Sequence, residues 1–290
     1  MARGVFTGQA SAVRRARRVD HLVALFVLLA WPVVVSHASA TKMPLAENSA
    51  TTGDVRLVES THDQAGGRTV EGVRTTSIKG TRMRLETVRD GEPITTLFDV
   101  PAGATITLDG KKKRATWRDV DRRNAKLEQE YPRAGVTVIV TPTGATRTLV
   151  GAGCREYTVS VRVPITKSGS LVLTMTGSAW LASDVPGAAD YDRFATAAIE
   201  RQIVLGPASD NKILLAITRA QTELHRALGG LHAVPYLVET ATTVEGKGML
   251  AGLIRKIVSG TQRTDVTRVS IEPLADDLFV VPAGWKSEKK

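Results

Sequence analysis

The chain has 290 residues, 42% of them hydrophobic, and a formal net charge of +10. That apolar share excludes a disordered chain, and five Phe, four Tyr and four Trp are too few for a nucleic-acid groove built on stacking. A single cysteine, Cys154, excludes an intramolecular disulfide, which fits export to a bacterial periplasm better than a eukaryotic secreted scaffold.

Residues 1–40 have the pattern of a cleavable export signal. Arg14, Arg15, Arg17 and Arg18 form a basic region, Leu22 to Val35 an apolar run interrupted by Pro32, and Ser36 to Ala40 a small-residue stretch suited to cleavage after Ala40. The run is shorter than the roughly twenty residues a spanning helix needs, which favours cleavage over the alternative, an uncleaved anchor. Removal of the leader leaves a net charge of about +6. Residues 41–53 have no periodicity and are expected to be a flexible linker. Residues 54–286 are expected to form a single soluble β-rich domain and 287–290 a basic tail.

From Val55 the pattern is β. In Ser77 to Glu86, Met83 and Leu85 share one face while Arg82, Arg84 and Glu86 share the other, as in a half-buried antiparallel strand. Asp90-Gly91 and Asp109-Gly110 predict two-residue hairpin turns. They link this strand to Ile94–Val100, and Thr105–Leu108 to Arg114–Trp117. The basic run Lys111, Lys112, Lys113 and Arg114 is a candidate contact for an anionic membrane surface, or simply a solvated tip that discourages edge pairing. Residues 119–130 are helix-prone. Strands resume at Val136–Thr141, Thr146–Val150, Tyr157–Val163 and Leu171–Leu181, with turns at Thr143-Gly144 and Ser168-Gly169.

Two helices follow. Asp190 is the expected cap of the first, striped by Tyr191, Phe194, Ala198 and Ile199 and ended by Gly206-Pro207. Asp210 is the expected cap of the second, striped by Ile213, Ile217, Leu224 and Leu228 and stopped at Gly229-Gly230. Residues 234–244 and 264–271 are expected to be closing strands. Met249 to Val258 fits a short amphipathic helix or a strand. The run from Leu97 to Gly103 is echoed at Leu278 to Gly284, each expected to be a strand ended by a turn.

Catalytic signals are weak. His225 and His232, with His62, form no metal-binding motif, and no nucleophile elbow or phosphate loop occurs. A lone Cys154 is more often a small buried hydrophobe than a nucleophile. The acids Asp184, Asp190, Asp192, Asp276 and Asp277 sit where carboxylates ordinarily cap and solvate. No catalytic residue, metal or cofactor is therefore assigned. Trp117, Trp180, Phe194, Ile217 and Leu224 are candidate linings of an apolar site; ordinary packing is the plainer account.

The order of three motifs resembles a known family. Gly151-Ala152-Gly153-Cys154-Arg155-Glu156-Tyr157 precedes Ala179-Trp180-Leu181-Ala182-Ser183-Asp184, and Phe279-Val280-Val281-Pro282-Ala283-Gly284-Trp285 closes the chain. This arrangement resembles an uncharacterised bacterial envelope family related to the lipoprotein-carrier (LolA/LolB-like) superfamily. The resemblance implies an α+β fold, a curved antiparallel sheet forming an open half-barrel packed on a few helices. Carriers of this fold hold acyl chains in the hollow of the sheet. Together with the alternating strands, the two striped helices and the lack of catalytic signatures, this gives the expectation of a non-enzymatic periplasmic binding protein for an apolar or lipid-like ligand such as a lipoprotein acyl chain. The rivals are a ligand-free structural or interaction module of the cell envelope and, more remotely, a hydrolase using Cys154 or an acidic pair.

Overall fold

A computed structural model describes residues 53–89, 92–166, 168–203 and 211–289. The expected export signal, nearly all of the linker, the Asp90-Gly91 turn, Gly206-Pro207 and Asp210 lie outside these residues. The fold is α+β, as expected: one open, curved sheet of twelve strands with helices against one face.

Two meanders build the sheet. The first runs β1 (Val55–Ala65), β2 (Arg68–Lys79), β3 (Arg82–Arg89), β4 (Glu92–Asp99), β5 (Ala104–Asp109) and β6 (Arg114–Asp119). Helix α1 (Val120–Glu130) then carries the chain to the far edge. Asp119 caps it, accepting from the Arg122 amide. The second meander returns as β7 (Thr137–Leu149), β8 (Ala152–Pro164), β9 (Val172–Ala182), β10 (Val234–Glu245) and β11 (Gly260–Ile271), which pairs with β1. Helices α2 (Ala188–Glu200) and α3 (Lys212–Gly229) join β9 to β10, and α4 (Met249–Val258) joins β10 to β11. No helix among the described residues is long and apolar enough to cross a membrane.

Several local expectations change. The turn after Asp109 is longer than two residues, because Asp109 pairs with Arg114. The Asp109 carboxylate accepts the Lys112 amide at 3.0 Å, and Lys113 adopts φ +46°, a side-chain-organised turn that Asp favours. Thr143-Gly144 does not separate two strands. It lies inside β7, where the register to β8 breaks between Pro142 and Thr146. Asp190 does not cap α2; it sits in the first turn, buried, bonded to Arg193 at 2.8 Å. Asn211 caps α3, its side chain accepting from the Ile213 and Leu214 amides. The second copy of the echo is no strand: Asp276–Phe279 is a 3-10 turn. The basic tail contributes β12 (Lys286–Lys289), parallel to β6.

Apolar side chains gather in three clusters. One unites Val55, Leu57, Ile78, Met83, Leu85 and Phe98 with Tyr191 and Phe194 of α2. A second unites Val159, Val161, Leu173 and Met175 of the second meander with one stripe of α3 and the inner side of α4. The third is small and lies on the outer face. Leu97, Ile106, Leu108 and Ala115 are covered there by Trp117, Val281 and Trp285. The C-terminal segment is pinned across that face by Lys79, donating to the Leu274 carbonyl at 2.6 Å, and by Arg84, donating to the Leu278 carbonyl at 3.0 Å.

Candidate functional site

Alternation along β1 sends Val55, Leu57, Glu59, Thr61, Asp63 and Ala65 to the helix-covered face, all buried. Halfway along, the row turns from apolar to polar. Glu59 lies opposite Arg74 of β2. The Arg74 guanidinium donates to both carboxylate oxygens, at 2.8 and 2.6 Å, and the Thr76 hydroxyl approaches at 3.5 Å. Glu59 is 0% and Arg74 2% exposed. Burial pushes the Glu59 carboxyl up, and Arg74 draws it back in part.

Helices α2 and α3 set two further ionisable groups in the field of this pair. Burial holds the Tyr191 phenol well above its ordinary range, with Glu59 adding to the effect. His225, half-buried on α3, is held down to about 3 by burial and then by the Arg74 charge. It stays neutral near pH 7. The Glu59 oxygens are both engaged by Arg74, so the geometry favours a fixed internal strut over acid–base chemistry.

The polar band continues beside the strut. Asp63 lies opposite Gln262, which lies opposite Thr240. Gln221 of α3 faces the same space. The Thr61, Thr264 and Gln221 side-chain oxygens and the Gln262 side-chain nitrogen have no hydrogen-bond partner among the described residues. The space among Asp63, Ile217, Gln221, Thr242 and Gln262 is about 10 Å³. Another, beside His225 and Thr222 of α3 and Ile199 and Ile203 of the α2 segment, is about 20 Å³. Each has room for roughly one water. The interior at these positions is packed, with no preformed acyl-sized hollow. On the outer face a broad open depression of about 800 Å³ is lined by Ser60, His62, Glu71, Val73 and Val88, with His62 against Glu71 at 3.3 Å.

The five candidate lining residues divide among the three clusters. Phe194 lies in the first and Trp180 packs against it, the Arg147 guanidinium 5.7 Å from the Trp180 ring. Ile217 and Leu224 lie in the second. Trp117 is on the opposite side of the sheet, because it shares the register row of Leu97 and Ile106. In the basic run, Lys112 pairs with Asp109 at 2.8 Å and Arg114 with Glu288 of β12 at 3.5 Å; Lys111, Lys112 and Lys113 are exposed on the turn.

Cys154 is 1% exposed, and burial pushes its thiol up to about 12. A thiolate nucleophile needs the opposite environment. The candidate acids are dispersed: Asp192 meets His232 at 3.0 Å and Asp276 meets Arg82 at 2.6 Å. His232 lies beyond the end of α3 at φ +50° and shares no face with His225.

The sequence reading passed over Glu59 and Arg74. The available signal was phase: Glu59 continues the Val55, Leu57 alternation, and Arg74 precedes Thr76 and Ile78 in the same way. It also left α4 undecided. That helix buries Ala251, Ile254 and Val258 and turns Met249, Leu250 and Leu253 outward.

No family model matches the chain, and no curated protein matches it. Among solved structures, the chain is similar to that of PNGF-II at 12% identity and a TM-score of 0.28. The match covers 82% of this chain and 31% of the other, so this chain spans about a third of that protein's length. It is also similar to a DUF1329 family protein from Desulfovibrio piger, at 10% identity and a TM-score of 0.22, covering 80% of this chain and 92% of the other. At these TM-scores neither likeness carries a functional argument.

Proposed function

We propose that the chain is a non-enzymatic, exported binding protein of the bacterial periplasm for an apolar or lipid-like ligand, held between half-barrel and helices in a form more open than this one. One observation carries this reading. The cluster of Val159, Val161, Leu173 and Met175 under α3 is continuous with the inner side of α4, a ten-residue helix on the flank of that cluster. Three side chains, Ala251, Ile254 and Val258, are fully buried, and Ile257 packs beside them. Arg255 adds hydrogen bonds to the Val244 and Gly246 carbonyls, at 2.8 and 3.1 Å. Exposing three such side chains costs on the order of 5 kcal/mol. The closed form therefore dominates until a ligand or surface offsets that cost, which is consistent with the water-sized spaces. The order of motifs, which resembles that of the lipoprotein-carrier-like family, points to the same ligand class.

Native mass spectrometry of protein recovered from the periplasm is expected to detect a retained acyl species. Ile254→Ala, which loosens α4, is expected to raise uptake of a hydrophobic fluorescent probe. If neither protein retains lipid and neither binds the probe, the carrier reading fails.

The close packing around Gln221 and His225 favours a second reading, an envelope interaction module without a resident ligand. Lys111, Lys113, Lys286 and Lys289, all exposed, then supply the contact with an anionic partner. Replacing Lys111, Lys112 and Lys113 with Gln is expected to abolish a salt-sensitive pull-down; an unchanged pull-down removes this reading.

A further inference from the structure

The outward side of α4 is the most apolar exposed surface on any described helix. Met249 is 93% exposed, and Leu250 and Leu253 are each 58% exposed. Leu253 lies four residues after Met249 and three after Leu250, so the three side chains form one patch on the helix. Ala251, Ile254 and Val258 occupy the opposite side and anchor the helix to the second cluster.

The helix that carries this patch, with the turn before it, has charges of one sign. Residues 246–258 contain Lys247, Arg255 and Lys256 and no carboxylate. All three cations are exposed. The acid just before them, Glu245, is already taken: Arg162 grips both its oxygens at 2.7 and 2.8 Å, and the Thr174 hydroxyl donates at 2.7 Å. Arg255 spends its hydrogen bonds on backbone carbonyls, which leaves its charge uncancelled. Lys256 follows Leu253 by three residues and so flanks the apolar patch directly.

We infer that the outer face of α4 docks on an anionic lipid bilayer, with Met249, Leu250 and Leu253 entering the acyl boundary and Lys247, Arg255 and Lys256 at the headgroups. Apolar side chains ringed by cations on a short helix are the composition that binds such a surface. A second copy of this chain fits worse, because a two-fold contact would set like-charged rims against each other. The inference concerns the outward side of α4 and borrows from the proposed function only the lipid class. Docking and ligand retention are therefore separable.

The experiment uses the exported protein with two vesicle compositions, phosphatidylglycerol mixed with phosphatidylethanolamine, and phosphatidylcholine alone. Sedimentation is expected to show at least tenfold stronger partition onto the anionic vesicles, falling severalfold at high salt. Leu250→Ser with Leu253→Ser is expected to reduce partition at least tenfold, with thermal melting unchanged because both side chains are exposed. Lys247→Gln with Lys256→Gln is expected to remove most of the preference for anionic lipid. Val73→Ser with Val88→Ser, on the outer face of the sheet, serves as the control and is expected to change nothing. Met249→Cys carrying an environment-sensitive dye is expected to shift to the blue on vesicles, Cys154 being too buried to label. Absence of binding, binding indifferent to the Ser pair, or concentration-dependent self-association that the Ser pair abolishes would each overturn the inference. Loss of lipid retention with vesicle binding intact would count against the proposed function and leave docking standing.

Discussion

Arg74 grips Glu59 from the adjacent strand through two hydrogen bonds, with both side chains sealed beneath the helices. Removing one partner leaves a buried charge uncompensated. Glu59→Ala is expected to cost about 3–5 kcal/mol, whereas Glu59→Leu combined with Arg74→Met is expected to be near neutral or stabilising. Urea denaturation of the single and double variants measures the difference. Equal losses in both would show that the pair does not act as a unit.

His225 gives stability a pH slope. Its folded pKa is depressed to about 3 from an ordinary 6.5. Between those values the unfolded chain binds the extra proton, so stability is highest above about pH 6.5 and falls as pH drops toward 3. The ceiling on the slope is about 1.4 kcal/mol per pH unit, reduced because the residue is only half-buried. In His225→Gln, denaturant midpoints taken between pH 7 and 4.5 are expected to fall less steeply than in the parent.

The Tyr236 hydroxyl is buried and has no hydrogen-bond partner among the described residues. Tyr236→Phe is therefore expected to leave stability unchanged or raise it by up to about 1 kcal/mol. Nearby, Cys154 is expected to resist a thiol reagent in the native state and to react at full stoichiometry in denaturant. Fast native labelling would contradict the elevated thiol pKa.

Two glycines are expected to respond in opposite directions. A Cβ on Gly177 would lie 1.8 Å from the Glu239 carbonyl oxygen of β10, backbone that cannot yield without parting the strands. Gly177→Ala is expected to cost more than about 2 kcal/mol. Around Gly252, on the exposed side of α4, nothing lies within 4 Å. Gly252→Ala is expected to stabilise by about 0.5–1 kcal/mol through helix propensity. Thermal melts of the two variants check both signs.

Much of the fold was legible because alternation is a strong signal where one face is buried. Met83 and Leu85 point inward as their phase requires, and Ile217 and Leu224 lie on the buried stripe of α3. The strut was not legible, because a charge in a strand is read as outward unless its phase is weighed against its neighbours. Glu59 and Arg74 keep the inward phase and neutralise each other, a fact of pairing across 15 residues that neither strand reveals alone. Trp117 misled for a related reason. Its strand gives the period but not which of the two faces carries the helices, and the C-terminal segment made the outer face a second burial site. In α4, ten residues with apolar side chains on both sides have too little polar contrast to fix a period.

β7 ends the strand order, with no partner among the described strands on its far side. An uninterrupted edge of that length would offer a row of amides and carbonyls to any passing strand. Pro142 deletes one donor, and Gly144 at φ +82° swings the remainder out of line just where the register breaks. The irregularity thus serves as protection against fibre growth, and Pro142→Val would reveal it as filaments formed by intact molecules rather than as a lower melting point.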